Sequence, residues 1–265
     1  MADTQPRRIG AFVLVAALFA AAGAGLGWWY ESHRSDAASV NDTQLDASLA
    51  SAGIDGKERA AIEGLVRSYI LEHPEVLPQA MERLQQREAA AQIAPMRGAL
   101  ETPFPGAVLG NPDGKVTLVE FTDFACTYCR QSVKALEGLI ARNPDLRVVV
   151  RELPIIAPES APAARMALAA AAQGKYPAYH KLMFEGARPS EESIAAAAGA
   201  AGVDLAAARA FAVRSDVEEE LKRNLEMARQ LGVNGTPAWV IGERMIHGAV
   251  PPEELQDAID AARKG

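Results

Sequence analysis

Only two cysteines occur among 265 residues, too few for a disulfide-stapled scaffold. They stand as Cys126-Thr127-Tyr128-Cys129, a spacing too close for an ordinary structural bridge. There is no second CxxC, and the histidines His33, His73, His180 and His247 are scattered without ligand spacing, so no metal site is expected. Basic charge is also scarce. The net charge is -7 and no run of lysine and arginine interleaves with aromatics, which excludes a surface for phosphate backbones and, with it, nucleic acid as a partner. What remains is ordinary globular material, 49% hydrophobic and 23% charged, enough for one domain of about 150 to 200 residues plus appendages.

Charge is missing altogether over one stretch, the 22 residues from Ile9 to Tyr30. As a helix this stretch would run roughly 33 Å against a hydrocarbon core of about 30 Å. Arg7 and Arg8 precede it, so the positive-inside rule makes residues 1–8 a cytoplasmic tail, 9–30 a transmembrane anchor in the inner membrane, and everything beyond it periplasmic or extracellular. Trp28-Trp29-Tyr30 reads as an interfacial aromatic belt. A cleaved signal peptide is the alternative, since Ala20-Ala21-Ala22 and Ala22-Gly23-Ala24 resemble cleavage sites, and the rest of the chain would then be soluble in the periplasm.

Residues 31–56 lack periodic apolar content and read as a linker. Asp55 with Glu58 forms an N-cap signature, after which Ile62, Leu65, Val66 and Tyr69 share a helical face. His73-Pro74 interrupts that helix, and a second carries Val76, Leu77, Ala80, Met81 and Leu84. The segment 57–95 is therefore helical. Its apolar stripes pack either on their own domain or on other subunits, which makes residues 57–92 a candidate route to a homo-oligomer.

Breakers from Pro95 to Gly114 put the start of the main domain near residue 100, so that it covers 100–265. Val116 to Phe121 suits a buried strand, Ser132 to Arg142 a helix, and Arg147 to Arg151 a second strand, together a parallel, right-handed βαβ unit. Residues 158–231 are Ala-rich and helical in pattern, a helical insertion. Strand character returns at Ala238 to Ile241 and Arg244 to His247, and Pro251 opens a last helix. The fold class is α/β.

A thiolate at the first turn of a helix meets unpaired N–H groups and the positive end of the helix dipole. Cys126 should hold that position. The dipole alone is worth roughly 0.2 to 1.5 pKa units, so any larger shift needs direct hydrogen bonds to the sulfur. Cys129, one turn further in, can close a disulfide or wait as the resolving thiol.

The run from Val119 through Cys129, followed by Gly235-Thr236-Pro237-Ala238, resembles the DsbA-like branch of the thioredoxin superfamily. The helical segment ahead of it is similar to the ScsC type. The resemblance covers about residues 57–263 and implies a thioredoxin-like fold. It also implies Cys126 as the exposed nucleophile, Cys129 as the resolving cysteine, and Pro237 in a cis peptide bond facing the sulfurs. Thr236 would offer its backbone to a substrate segment, and Glu120 would be a buried proton acceptor, its alternative being a solvated strand-edge carboxylate. No cofactor beyond the Cys126–Cys129 disulfide is implied. The expected activity is that of a protein disulfide oxidoreductase or isomerase acting on exported proteins, with electrons exchanged through a membrane redox partner. A redox-inert chaperone or scaffold and a copper-handling protein are the competing readings. Thr127-Tyr128 lacks the cationic ring of the strongly oxidising relatives, which leaves the direction of electron flow open.

Overall fold

The computed structural model describes Leu45 and residues 47–264. The expected cytoplasmic tail and the anchor at 9–30 lie outside the described residues. Among the described residues no helix is long and apolar enough to cross a membrane. The chain forms two compact units that divide between Pro78 and Gln79.

In the first unit, α1 (Gly56–Glu72) opens with the capping box that the Asp55/Glu58 pair encodes. Asp55 Oδ1 accepts the N–H groups of Lys57 and Glu58 at 2.8 and 2.9 Å, and Glu58 Oε2 accepts the Asp55 N–H at 3.0 Å, satisfying donors that a helix start leaves free. No residue of α1 is buried; Ile62, Leu65, Val66 and Tyr69 are all exposed. Helix α2 (Val76–Ile93) follows the His73-Pro74 break and buries only its last residue, Ile93.

The second unit begins within α2, because Ile93 belongs to its core together with Leu100 of the short helix α3 (Arg97–Glu101). Its sheet has the order β1-β3-β2-β4-β5, with strands at Val108–Gly110, Val116–Thr122, Leu146–Glu152, Ala238–Ile241 and Arg244–His247. The apolar run at 116–122 becomes the central strand β2. It is parallel to β3, reached through α4 (Thr127–Arg142), and antiparallel to β4. Strand β1 has no sequence signature, since three residues between breakers show no alternation to read. It exists through pairing with β3, ending where Gly110 takes φ +75° and a Cβ would stand 2.6 Å from the Leu146 carbonyl oxygen, a position only glycine fits.

Between β3 and β4 the chain builds α5 (Ser160–Ala172), α6 (Tyr176–Glu185), α7 (Glu191–Ala200), α8 (Leu205–Ala212) and α9 (Ser215–Gln230); α10 (Pro252–Ala262) closes the fold. The alanines have a packing use. Ala163, Ala164, Ala167 and Ala170 of α5 and Ala198 of α7 are fully covered, their small side chains permitting close helix approach.

Side chains alternate across the sheet. Leu118, Val148, Val150 and Trp239 face one apolar core with α4 to α6. Val119, Phe121, Val149 and Val240 face the other with Ile93, Leu100, Met227 and Leu231. Arg151 is buried on this second side. Its guanidinium pairs with Glu220 at 2.7 Å and donates to the carbonyl oxygens of Ala99, Leu100 and Thr102, fastening the lead-in segment and α9 to β3.

Truncating one member of a buried ion pair strands the other. We expect Arg151→Met to cost about 3 to 5 kcal/mol in urea unfolding. A loss below about 1 kcal/mol would mean that Arg223, 3.4 Å from the second Glu220 oxygen, takes over the pairing.

Candidate active site

Helix α4 starts at Thr127, five residues before the Ser132 start read from the sequence, its first turn taking in the Thr127-Tyr128-Cys129 part of the cysteine motif. Cys126 is the N-cap. Its backbone is extended (φ -79°, ψ 122°) and its Sγ accepts the Cys129 N–H at 3.4 Å. The same sulfur lies 3.1 Å from the carbonyl oxygen of Thr236. The Thr236–Pro237 peptide bond is cis, and the Pro237 carbonyl accepts the Gly248 N–H at 2.8 Å, tying this loop to the end of β5. Of the two sulfur-bearing residues Cys126 is the more accessible, yet only 5% of it is exposed against 0% for Cys129. It is therefore more covered than an exposed nucleophile implies, the Thr236 loop standing over it.

Both cysteines are free thiols, and their surroundings separate them electrically. The Cys126 pKa is lowered from 9.0 to about 5, chiefly by the Cys129 thiol. Burial opposes this, and the Thr236 side chain and the N–H groups of Cys129 and Tyr128 assist it. A drop of that size exceeds what a helix dipole provides, so direct donors to the sulfur carry most of it. Burial pushes the Cys129 thiol far up, with Cys126 and Glu120 adding to the rise. At neutral pH one sulfur is an anion and its neighbour keeps a proton.

Glu120 lies on the central strand, so the solvated-edge alternative does not hold. In register it sits between Val150 of β3 and Trp239 of β4, and 2% of it is exposed. Burial raises its pKa from 4.5 to about 8. The nearby Thr122 hydroxyl opposes the rise and the Cys126 charge adds to it. A carboxyl poised near neutrality beside a high-pKa thiol is suited to accepting that thiol's proton.

Asp123 belongs to the site although the sequence reading assigned it nothing. It is buried, its Oδ1 accepts the Ala125 N–H at 2.8 Å, and its Oδ2 accepts the N–H groups of Ile155 and Ile156 at 2.8 and 2.9 Å. One carboxylate thus shapes the turn into Cys126 and clamps the loop after β3 against it. An aspartate bonding the N–H two residues on is a turn signal that Asp123-Phe124-Ala125 does carry; the reach to residues 155 and 156 is not readable from the sequence. His180 is not at the surface. It is buried among Phe124, Tyr176 and Phe184, and burial lowers its pKa to about 3. Among the described residues no group of three or more His, Cys, Asp and Glu is placed to hold a metal ion.

The family model described as a DSBA-like thioredoxin domain matches residues 117–260, and the model of the copper resistance protein ScsC N-terminal domain matches residues 58–91. A thioredoxin-like oxidoreductase from Silicibacter pomeroyi DSS-3 is 39% identical, superposing with a TM-score of 0.58 over 60% of this chain and 92% of its own. A linker-deletion mutant of ScsC from Proteus mirabilis is 27% identical, with a TM-score of 0.61 over 80% of this chain and 97% of its own. The Na(+)/H(+) antiporter NhaA of Herminiimonas arsenicoxydans is 31% identical over 160 residues, which make up 60% of this chain and 26% of the antiporter. The chain spans about a quarter of the length of such curated relatives. With the domain model covering more than half of its residues and the cysteine turn, the Thr-Pro loop and the mixed sheet all in place, the chain belongs to the DsbA-like thioredoxin family and carries an ScsC-type N-terminal segment.

Proposed function

We propose that the chain forms or reshuffles disulfides in exported, cysteine-containing proteins on the periplasmic side of the membrane. The observation that carries this reading is the Cys126 sulfur, an N-cap thiolate with a pKa near 5, set against the Thr236 carbonyl and one turn before a protonated Cys129. Cys126 acts as the nucleophile, Cys129 resolves the mixed disulfide, and Glu120 accepts the Cys129 proton. Thr236 and Pro237 present backbone to the client. Exposed Tyr128 on the cysteine turn, with Ile155 and Ile156 on the loop that Asp123 holds, supplies an apolar rim for an unfolded segment. A membrane redox partner resets the pair.

A thiolate pKa near 5 lies between roughly 7 in thioredoxin and about 3.5 in the strongest oxidant of this chemistry, which favours a couple of intermediate potential. Isomerisation becomes the better reading if several sites share a scaffold, because tethering raises the effective concentration at one client into roughly the millimolar range. The exposed stripe of α1, with Leu65 at 70% exposure, and the exposed Met81 and Leu84 of α2 favour self-association through this region.

The direct test is turnover in insulin reduction and in refolding of scrambled ribonuclease; a chain inactive in both would leave only a scaffold. Alkylation of the reduced protein should label Cys126 far faster than Cys129, with a rate that is flat above about pH 6 and falls at lower pH with a midpoint near 5. Because folding lowers that pKa from 9.0, the reduced domain should gain stability relative to a Cys126→Ser variant as pH rises from about 5 to 9, and that margin should vanish as pH falls through 5. Equal labelling of both cysteines would sink the role assignment. Leu65→Glu combined with Tyr69→Glu, both at exposed positions, should lower the mass of residues 31–265 by light scattering and cut ribonuclease reshuffling about tenfold while sparing insulin reduction. A parent protein that is already monomeric would leave a plain oxidase as the better reading.

A further inference from the structure

Strand β2 ends on a buried hydroxyl that exchange through Glu120 leaves unused. Thr122 is fully covered, and its register partner on β3 is Glu152. Side chains two apart on a strand share a face, so Thr122 points with Glu120 to the side of Leu118, into the core that contains Cys129. Glu152 comes to the same face, but its Oε1 is taken by the Tyr176 hydroxyl at 2.7 Å and burial keeps its carboxyl protonated. Thr122 Oγ1 and Glu120 Oε2 are both buried without a hydrogen-bond partner among the described residues. Leaving such atoms unpaired is costly, and a hydroxyl, whose hydrogen swings about the C–O bond, can pair with whichever neighbour carries charge. Two such neighbours lie within its reach. Burial is the largest influence on both Glu120 and Cys129 and disfavours the anion of each, and the Thr122 hydroxyl works against it in both.

We propose that the Thr122 hydroxyl is a hydrogen-bond donor shared by Cys129 and Glu120, turning to whichever of the two carries negative charge as a proton passes between them. This rests on the exchange reaction proposed above. In the mixed disulfide Cys129 Sγ attacks Cys126 Sγ. The Cys126–Cys129 bond forms, the bond from Cys126 to the client sulfur breaks, and its electron pair leaves on the client thiolate. The Cys129 proton moves to the Glu120 carboxylate, and as charge grows on Cys129 Sγ the Thr122 hydroxyl turns from the carboxylate to the sulfur. In the reverse step a client thiolate attacks Cys126, and Cys129 leaves as a thiolate and takes the proton back from Glu120. The proton travels between these two groups, none has to leave the core, and Thr122 keeps its own hydrogen throughout.

The other ionisable groups of this buried cluster do not titrate in the range that matters. Burial holds the Tyr176 hydroxyl of α6 well above 10 and leaves His180 of the same helix neutral, with a pKa of about 3. Asp123 is turned to the N–H groups of Ala125, Ile155 and Ile156, and Arg151 pairs with Glu220 on the opposite face of the sheet. Glu120, near 8, is the group that changes charge close to neutrality. In the mixed disulfide the Cys126 charge is gone, and with it one cause of the rise, so the Glu120 carboxylate forms more readily there.

The test mixes the reduced full chain with oxidised glutathione, quenches in acid, and follows across pH the rate at which Cys129 displaces glutathione from Cys126. The parent's rate should rise with pH to a plateau, with a midpoint below about 8. In Thr122→Val the midpoint should move up by roughly half a pH unit or more, because the carboxylate loses a donor, and the plateau should fall about tenfold. Alkylation of Cys126 in the same variant should keep its midpoint near 5, since Thr122 is not among the causes of that shift. Thr122→Ser, which keeps the hydroxyl, should follow the parent, and Thr122→Ala should follow Thr122→Val. The serine and alanine variants differ only in the hydroxyl, so they decide the matter if Thr122→Val does not fold. A Thr122→Val profile identical to the parent's, or a Thr122→Ser protein as slow as Thr122→Ala, overturns the shared donor. A parent that never displaces glutathione would sink the exchange reaction and the donor with it, whereas a parent that does so beside an unchanged Thr122→Val protein sinks the donor alone.

Discussion

The site depends on β2 and β4 lying side by side. Antiparallel pairing of Phe121 with Ala238 brings the end of one strand and the start of the other to a single edge of the sheet. The turn that leaves β2 carries Cys126, and the loop that enters β4 carries Thr236, so a sulfur and a carbonyl oxygen 110 residues apart in sequence stand 3.1 Å from each other. The six helices between them add little to the cost of that closure, since loop entropy grows only with the logarithm of length. They return the cost as cover. Tyr176, Tyr179 and Phe184 of α6 pack into the core that contains both cysteines, and the low dielectric there separates the two thiols in pKa.

Strand β3 ends on two buried ionisable side chains that the fold treats in opposite ways. Arg151 turns to the side of α3 and α9 and finds a carboxylate and three carbonyl oxygens. It behaves as a structural cation whose donors are satisfied. Glu152, one residue on, turns to the cysteine side and finds a single hydroxyl, leaving one oxygen without a partner. The paired guanidinium keeps its charge, whereas burial with a single partner holds the Glu152 carboxyl in its protonated form. That difference separates the scaffold side of the sheet from the side that handles protons.

Much of the architecture was legible residue by residue. Asp55 and Glu58 announced the start of α1, His73-Pro74 its end, and the run from Val116 to Phe121 the central strand. These features are local, set by capping, by proline sterics and by apolar runs. Strand β1 was not legible because three residues carry no period. Asp123, Glu152 and Tyr176 went unassigned for another reason, since the atoms they contact lie on other elements: Asp123 reaches residues 155 and 156, and Glu152 meets a helix 24 residues later. His180, which lacks ligand spacing in the sequence, is enclosed by the aromatics Phe124 and Phe184.

The sequence by itself determined the chemistry on offer: two sulfurs three residues apart at a helix start, an acid six residues before the first of them, and too little basic charge for a nucleic-acid surface. Helix geometry follows from the backbone alone, so the spacing of Cys126 and Cys129 was enough to set the two sulfurs one turn apart at a helix start. Only the tertiary structure decided which groups hold protons. Ionisation responds to burial and to charges within several ångströms, whatever their distance along the chain. The values near 5 for Cys126 and near 8 for Glu120 therefore came into being when β3 and β4 closed on either side of β2.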